Sequence, residues 1–177
     1  MSDFIQTGSI TTLHLLGEHD IAKIEQEIEE ASRMRPISLV LPCLISEMDG
    51  PALRVIMSAL APIRYLHEVI VTLGPASQEE YSRACEFFRP LEQDGRRVRL
   101  IWNSGERIKE IYRDIEEAGL AVGPDGKGRS AWMAYGYVVA RAESYIIALH
   151  DCDILSFTRI MLDRLVYPTV MPDLDYE

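Results

Sequence analysis

Between residues 37 and 149 the chain alternates short runs of consecutive aliphatic residues with longer stretches whose apolar positions fall three or four apart. The first rhythm fits strands buried on both faces and the second fits helices with one apolar side. Strands are predicted at 37–41, where Pro42 should stop the run, at 69–73, at 98–102 and at 144–149. A helix opened by Pro51 carries Leu53, Ile56, Met57 and Leu60 on one side. Another follows Ser77, which has capping-box spacing to Glu80, and stops before Pro90. A charged helix is predicted over 106–117, entered after a strand that the turn Asp94-Gly95 precedes, and a mostly apolar one over 130–142. Upstream, Asp20 caps a short helix over 20–32 whose stripe is Ile21, Ile24 and Ile28. Residues 163–177 read as loop, without a closing helix or strand.

Strands separated by helices call for right-handed crossovers, hence an α/β fold with a mostly parallel sheet and helices on both faces. Ligands of such sheets collect at the carboxyl ends of the strands, and every chemically suggestive segment below lies at such an end. The expected organisation is a helical extension over 1–36, a ligand-binding domain over 37–160, and a further segment beginning at 161.

Charge and cysteine content narrow the partners. The 177 residues include 18 basic and 28 acidic side chains, a formal net charge of −10. Nucleic acid is held mainly by clustered Lys and Arg, so it is not an expected partner, whereas a small anion needs only one local cationic pocket. No apolar run approaches the roughly 20 residues of a membrane helix, and the N-terminus lacks a basic region followed by an apolar stretch. The expectation is a soluble, cytoplasmic chain, for which a homodimer is one compatible state. Cys43, Cys85 and Cys152 are odd in number and form no CxxC pair. They read as small buried residues of a reducing compartment.

The sharpest chemical feature is Asp151-Cys152-Asp153, directly after the apolar run 145–149. In an extended segment residues i and i+2 share a side, so the two carboxylates converge, as suits a hard divalent cation such as Mg2+ or Mn2+. Next is Asp125-Gly126-Lys127-Gly128-Arg129 before the helix expected from Ser130. Glycines let backbone N–H groups approach a phosphate, the helix N-terminus adds partial positive charge, and Lys127 and Arg129 add full charges. It is not a Walker-type phosphate loop, because Ala121 and Gly128 stand where Gly and Ser or Thr would be required. The loop after the first strand offers Glu47, whose carboxylate can accept two donors from a ribose or a base. His150 points away from Asp151 in an extended strand and reads as a core or supporting residue. His14, His19 and His67 have no partner pattern. No nucleophile elbow and no Cys with a recognisable His partner is present, so acyl transfer lacks support.

The ordered set of a strand ending in Leu41-Pro42 with a Glu-bearing loop, a Gly turn after the second strand, a G-K-G loop opening a helix, and D-x-D after the next strand resembles a nucleotide-sugar-dependent glycosyltransferase of the GT-A fold. It is most similar to the glucosyl-3-phosphoglycerate synthases and their mannosyl relatives. The resemblance implies a Rossmann-like nucleotide-diphospho-sugar transferase fold and a nucleotide-sugar-binding domain over 37–160, with an acceptor-side segment starting at 161 and truncated. It implies transfer of a hexose from UDP-glucose or GDP-mannose to a small phosphorylated acceptor such as 3-phosphoglycerate, with retention at the anomeric carbon and a Mg2+ or Mn2+ cofactor. Pro42, Leu44 and Glu47 would contact the donor nucleoside, with Glu47 on the ribose, and Gly74 would lie near the base, although Leu73-Gly74-Pro75-Ala76-Ser77 departs from the family's usual Ser-Gly-Ser turn. Gly126, Lys127 and Arg129 would hold the donor near its diphosphate. Asp151 would face the donor sugar or ribose, and Asp153 would be the direct metal ligand. The resemblance implies Lys127 and Asp151 as the catalytic pair. The third metal ligand and the acceptor-phosphate contacts of the family come from sequence after the D-x-D, and no residue past Asp153 matches them.

Three rival readings are a sugar nucleotidyltransferase, an aspartate-nucleophile phosphatase and a non-catalytic nucleotide-sugar-binding module. The first would carry basic residues in a Gly-rich loop directly after the first strand, where Pro42 to Gly50 supply no cation. An aspartate-nucleophile phosphatase would place its D-x-D after the first strand, with Thr or Val following, whereas Ile154 follows Asp153.

Overall fold

The computed structural model describes residues 20–93 and 95–171. The N-terminal 19 residues of the expected extension, His14, His19, Asp94 of the expected turn and residues 172–177 lie outside the described residues. Four parallel strands, β1 (Ile37–Cys43), β2 (Leu66–Leu73), β3 (Arg97–Trp102) and β4 (Ile146–Leu149), form one sheet in the order β3-β2-β1-β4. The α/β fold expected from the sequence is therefore present.

Helices cover both faces. On one side α1 (Ile21–Ser32), α2 (Pro51–Leu60), α3 (Gln78–Phe88) and α6 (Arg159–Val170) bury Ile28, Leu53, Ile56, Leu60, Phe88 and Leu162 against Leu39, Leu41, Val69 and Val71. On the other, α4 (Glu106–Glu117) and α5 (Lys127–Arg141) enclose Val40, Ile70, Ile101, Tyr112, Met133 and Val138. Every residue of β1 is buried, which is why its sequence shows no polar alternation.

Several boundaries differ from the sequence reading. Pro42 lies inside β1, paired with Thr72 of β2, rather than ending the strand. The Val40 carbonyl accepts from the His150 backbone N–H, so Pro42, two residues on, faces the same side, past the end of the β4 ladder, where a missing N–H costs nothing. β4 is not a fully buried run. It is one of the two edge strands of this sheet, the other being β3, with Ile147 and Leu149 about two-fifths exposed and Tyr145 exposed. β2 starts three residues earlier than expected, because the polar Glu68 is buried among arginines. Residues 159–170 form α6 instead of loop: Leu162, Val166 and Val170 make an apolar stripe, and Pro168 falls in the last turn. Burial of that stripe outweighs the helix-breaking tendency of the proline.

Candidate functional site

The carboxyl ends of β1, β2, β3 and β4 are tied together by short polar contacts. The Gly74 N–H donates to the Cys43 carbonyl at 2.8 Å, and a Cβ at Gly74 would meet the end of the exposed Leu44 side chain at 2.9 Å, which would have to shift. Trp102 Nε1 donates to the Ala76 carbonyl at 3.0 Å, and Ser104 Oγ bonds both the carbonyl and the N–H of Ala76. Buried Asn103 donates through Nδ2 to Ser130 Oγ at 2.7 Å and accepts from the Tyr112 hydroxyl at 3.4 Å. This pair fixes the first turn of α5 against the end of β3. Asn103 was not singled out in the sequence, where an isolated Asn after a strand carries no distinguishing signal.

α5 begins at Lys127, three residues before the predicted Ser130, with Gly126 as its N-cap. Lys127 and Arg129 are thus in the first helical turn, not in a loop ahead of it. Cations there oppose the helix dipole, and acidic partners offset them. Arg129 pairs with Asp125 at 2.7 Å and lies over the Tyr112 ring at 4.7 Å, so it braces its own turn and does not join the cluster around Lys127.

Lys127 is the centre of the site. Its Nζ lies 3.2 Å from Asp151 Oδ1, 3.4 Å from Asp153 Oδ2 and 3.6 Å from Glu47 Oε1. Partial burial opposes its charge, but the hydrogen bond it donates to Asp151 and the field of Glu47 prevail and hold its pKa above the ordinary lysine value. Asp151 and Asp153 do converge, although Cys152 and Asp153 form a turn and the segment is not extended. Both carboxylates are more than half exposed. Glu47 sits in a single 3-10 turn, Ile45–Asp49, and its Oε2 accepts from the Leu44 N–H at 2.7 Å.

The remaining residues singled out in the sequence divide clearly. Leu44 is exposed beside Glu47, while Pro42 and Gly74 are buried beneath this edge. Gly126 and Gly128 are exposed, with open space where a Cβ would stand, so the N-terminus of α5 is accessible beside Lys127. His150 packs edge-on against Phe157 with ring centroids 4.9 Å apart, and burial lowers its pKa below the usual histidine value. Cys152 points inward between the two aspartates and is fully buried, and the Cys43 thiol approaches it.

Three carboxylates around one ammonium leave a local charge of −2. Like charges held this close call for a counter-cation, and exposed carboxylate oxygens suit Mg2+ or Mn2+. The donor set therefore fits a hard divalent ion.

No family model matches the chain. It is 42% identical over its full length to a glucosyl-3-phosphoglycerate synthase of Persephonella marina, covering 43% of that enzyme. It is 34% identical over 98% of its length to the Methanococcoides burtonii enzyme of the same name, covering 42% of it. The chain thus spans less than half the length of the relatives it matches. Among solved structures, it matches a Mycobacterium tuberculosis glucosyl-3-phosphoglycerate synthase in complex with Mn2+, UDP-glucose and phosphoglyceric acid, with a TM-score of 0.56 and 22% identity over 92% of this chain and 47% of that one. In sequence the chain resembles the glucosyl-3-phosphoglycerate synthases, and it shares the fold of the solved mycobacterial one.

Proposed function

We propose that the chain is the donor-binding portion of an enzyme that transfers glucose from UDP-glucose to 3-phosphoglycerate. The observation that carries this reading is the convergence of Glu47, Asp151 and Asp153 on Lys127 at the carboxyl edge of the sheet, beside the open N-terminus of α5. The relatives' names supply the sugar, the acceptor and UDP as the nucleotide.

In this reading Glu47 accepts hydrogen bonds from the ribose hydroxyls, and Leu44 lies against the nucleoside. Lys127 moves from its carboxylate partners to the diphosphate, where its charge and the α5 N–H groups stabilise the leaving UDP. Asp153, with Asp151 alongside, would hold a Mg2+ or Mn2+ ion. When bound, that ion supplies Lewis-acid neutralisation of the diphosphate charge. Asp151 faces the donor sugar and keeps it oriented over the edge of β4. Transfer proceeds with retention, the acceptor hydroxyl giving its proton to the departing phosphate oxygen. Residues beyond 160 begin the acceptor side.

Calorimetric titration with UDP-glucose and GDP-mannose, each with and without Mn2+, tests the reading. Metal-dependent binding of UDP-glucose is expected, absent in Asp153→Ala and weakened in Lys127→Ala. Unchanged dissociation constants in both variants would remove the site assignment, and tighter binding of GDP-mannose would reassign the donor.

A further inference from the structure

Two cysteines at this edge have no part in the reading above. Cys43 ends β1 and Cys152 lies between the two aspartates, and the two residues are 2% and 0% exposed. Neither is in a disulfide. Both sulfurs and a Glu47 carboxylate oxygen lie within 4.8 Å of one another. The Glu47 side chain is 12% exposed, so it is the face of the cluster nearest solvent.

We propose that Cys43, Cys152 and Glu47 form a site for a thiophilic divalent cation of the zinc or cadmium kind, separate from the hard-cation site at Asp151 and Asp153. Sulfur donors select such ions over Mg2+ and Mn2+, which prefer oxygen. With metal–sulfur bonds of about 2.3 Å, tetrahedral coordination puts the sulfurs about 3.8 Å apart, so the cluster closes up by no more than about an ångström. Glu47 gives the third ligand and water the fourth. The cation binds as two thiols become thiolates, and two protons leave to solvent. One dipositive ion in and two protons out leave the local charge unchanged, so the buried cluster gains no unpaired charge.

Coordination draws Glu47 away from Lys127, whose Nζ is 3.6 Å from it. A thiophilic metal would therefore oppose UDP-glucose binding. That consequence rests on the proposed function, while the metal site itself does not.

The test is titration of the reduced full chain with cadmium chloride, read by the ultraviolet charge-transfer absorbance of cadmium thiolate. The expected result is saturation at one equivalent, with the intensity of two thiolates, in the presence of excess Mn2+. Cys85→Ser and Asp153→Ala should keep the full band, and Cys43→Ser and Cys152→Ser should lose it. Because Cys85→Ser leaves β1 and the aspartate turn untouched, a full band there assigns the ligands to the two remaining cysteines even if the other variants fold poorly. No band in the parent chain, or loss of the band in Cys85→Ser, overturns the proposal. A chain that gives the band but binds no UDP-glucose would sink the donor reading and leave this one standing.

Discussion

The sheet carries a cluster of ionic side chains at each end, and the two are built on opposite principles. At the amino end Glu68, only 4% exposed, lies 3.6 Å from Arg97 Nε and 3.5 Å from Arg99 Nε and accepts from the Tyr137 hydroxyl at 3.0 Å. Arg97 also bonds Glu143, which Arg141 reaches at 2.6 Å. Three guanidiniums and two carboxylates nearly cancel, and a phenol fills a remaining acceptor site. At the carboxyl end one ammonium faces three carboxylates, two of them more than half exposed. The balanced cluster around buried Glu68 has what it needs within the chain and serves packing. The unbalanced, open one keeps a net negative charge, which the proposed divalent cation would offset.

The largest test of that contrast is Lys127→Ala. On the proposed function, loss of one preorganised charge on a leaving group costs about 2.7–4 kcal/mol, so UDP-glucose turnover by the whole enzyme carrying this chain should fall on the order of a hundredfold to a thousandfold. The melting temperature should move little, because two of the three carboxylates left behind, Asp151 and Asp153, are more than half exposed. Steady-state rates beside a thermal melt check both halves. Glu68→Ala should do the reverse. Breaking a buried pair costs about 3–5 kcal/mol, and partial hydration of Arg97 and Arg99 reduces this to about 2–3 kcal/mol. Denaturant unfolding should register that loss while UDP-glucose affinity stays the same. If Glu68→Ala instead impairs binding and leaves stability intact, the division between the two ends is wrong.

The same contrast explains what could be read from the sequence. α4 falls at residues 106–117 as its charge pattern predicts, and α3 carries the full capping box expected at Ser77 and Glu80, because such signals are local. The start of α5 was displaced because Lys127 and Arg129 occupy a first turn where acidic residues are usual. That departure from the helix-start pattern falls at the candidate site, and only the fold brings the compensating Glu47, Asp151 and Asp153 to it. The amino-end cluster was invisible for a related reason: nothing near His67 or Glu68 in the sequence announces partners 29 and 31 residues further on in β3. α6 was missed because Pro168 reads as a breaker, whereas its last-turn position and the buried Leu162, Val166 and Val170 are tertiary facts.

A third acidic site, away from both ends, sharpens the comparison through pH. Asp163 is buried between α1 and α6, accepts from the Tyr65 hydroxyl at 2.7 Å, and faces Glu25 and Arg159. Burial is the main reason its pKa rises to about 6 from 3.8. The folded chain therefore holds this proton more tightly than the unfolded chain. The cost of burying the carboxylate is absent below about pH 4, grows through the interval to about 6, and is complete above it. Asp163→Asn keeps an acceptor for Tyr65 without the charge. It should raise stability at pH 8 by about 1–2 kcal/mol, with the gain shrinking to nothing as pH falls below 4, measured by denaturant unfolding across that range.

The smallest effect asks whether position at the carboxyl edge is enough to make a residue functional. Ser77 lies in the turn after β2, only three residues past Gly74, but its hydroxyl accepts from the Glu80 N–H at 3.2 Å and its own N–H donates to Glu80 Oε2 at 2.7 Å. Both polar groups are spent on starting α3. Ser77→Ala should cost about 1 kcal/mol of stability, the usual worth of such a cap. UDP-glucose affinity should be unchanged in the same preparation. Should affinity fall together with stability, the turn after β2 belongs to the donor site, and the distinction between charge left open and charge satisfied within the chain has to be redrawn at that turn.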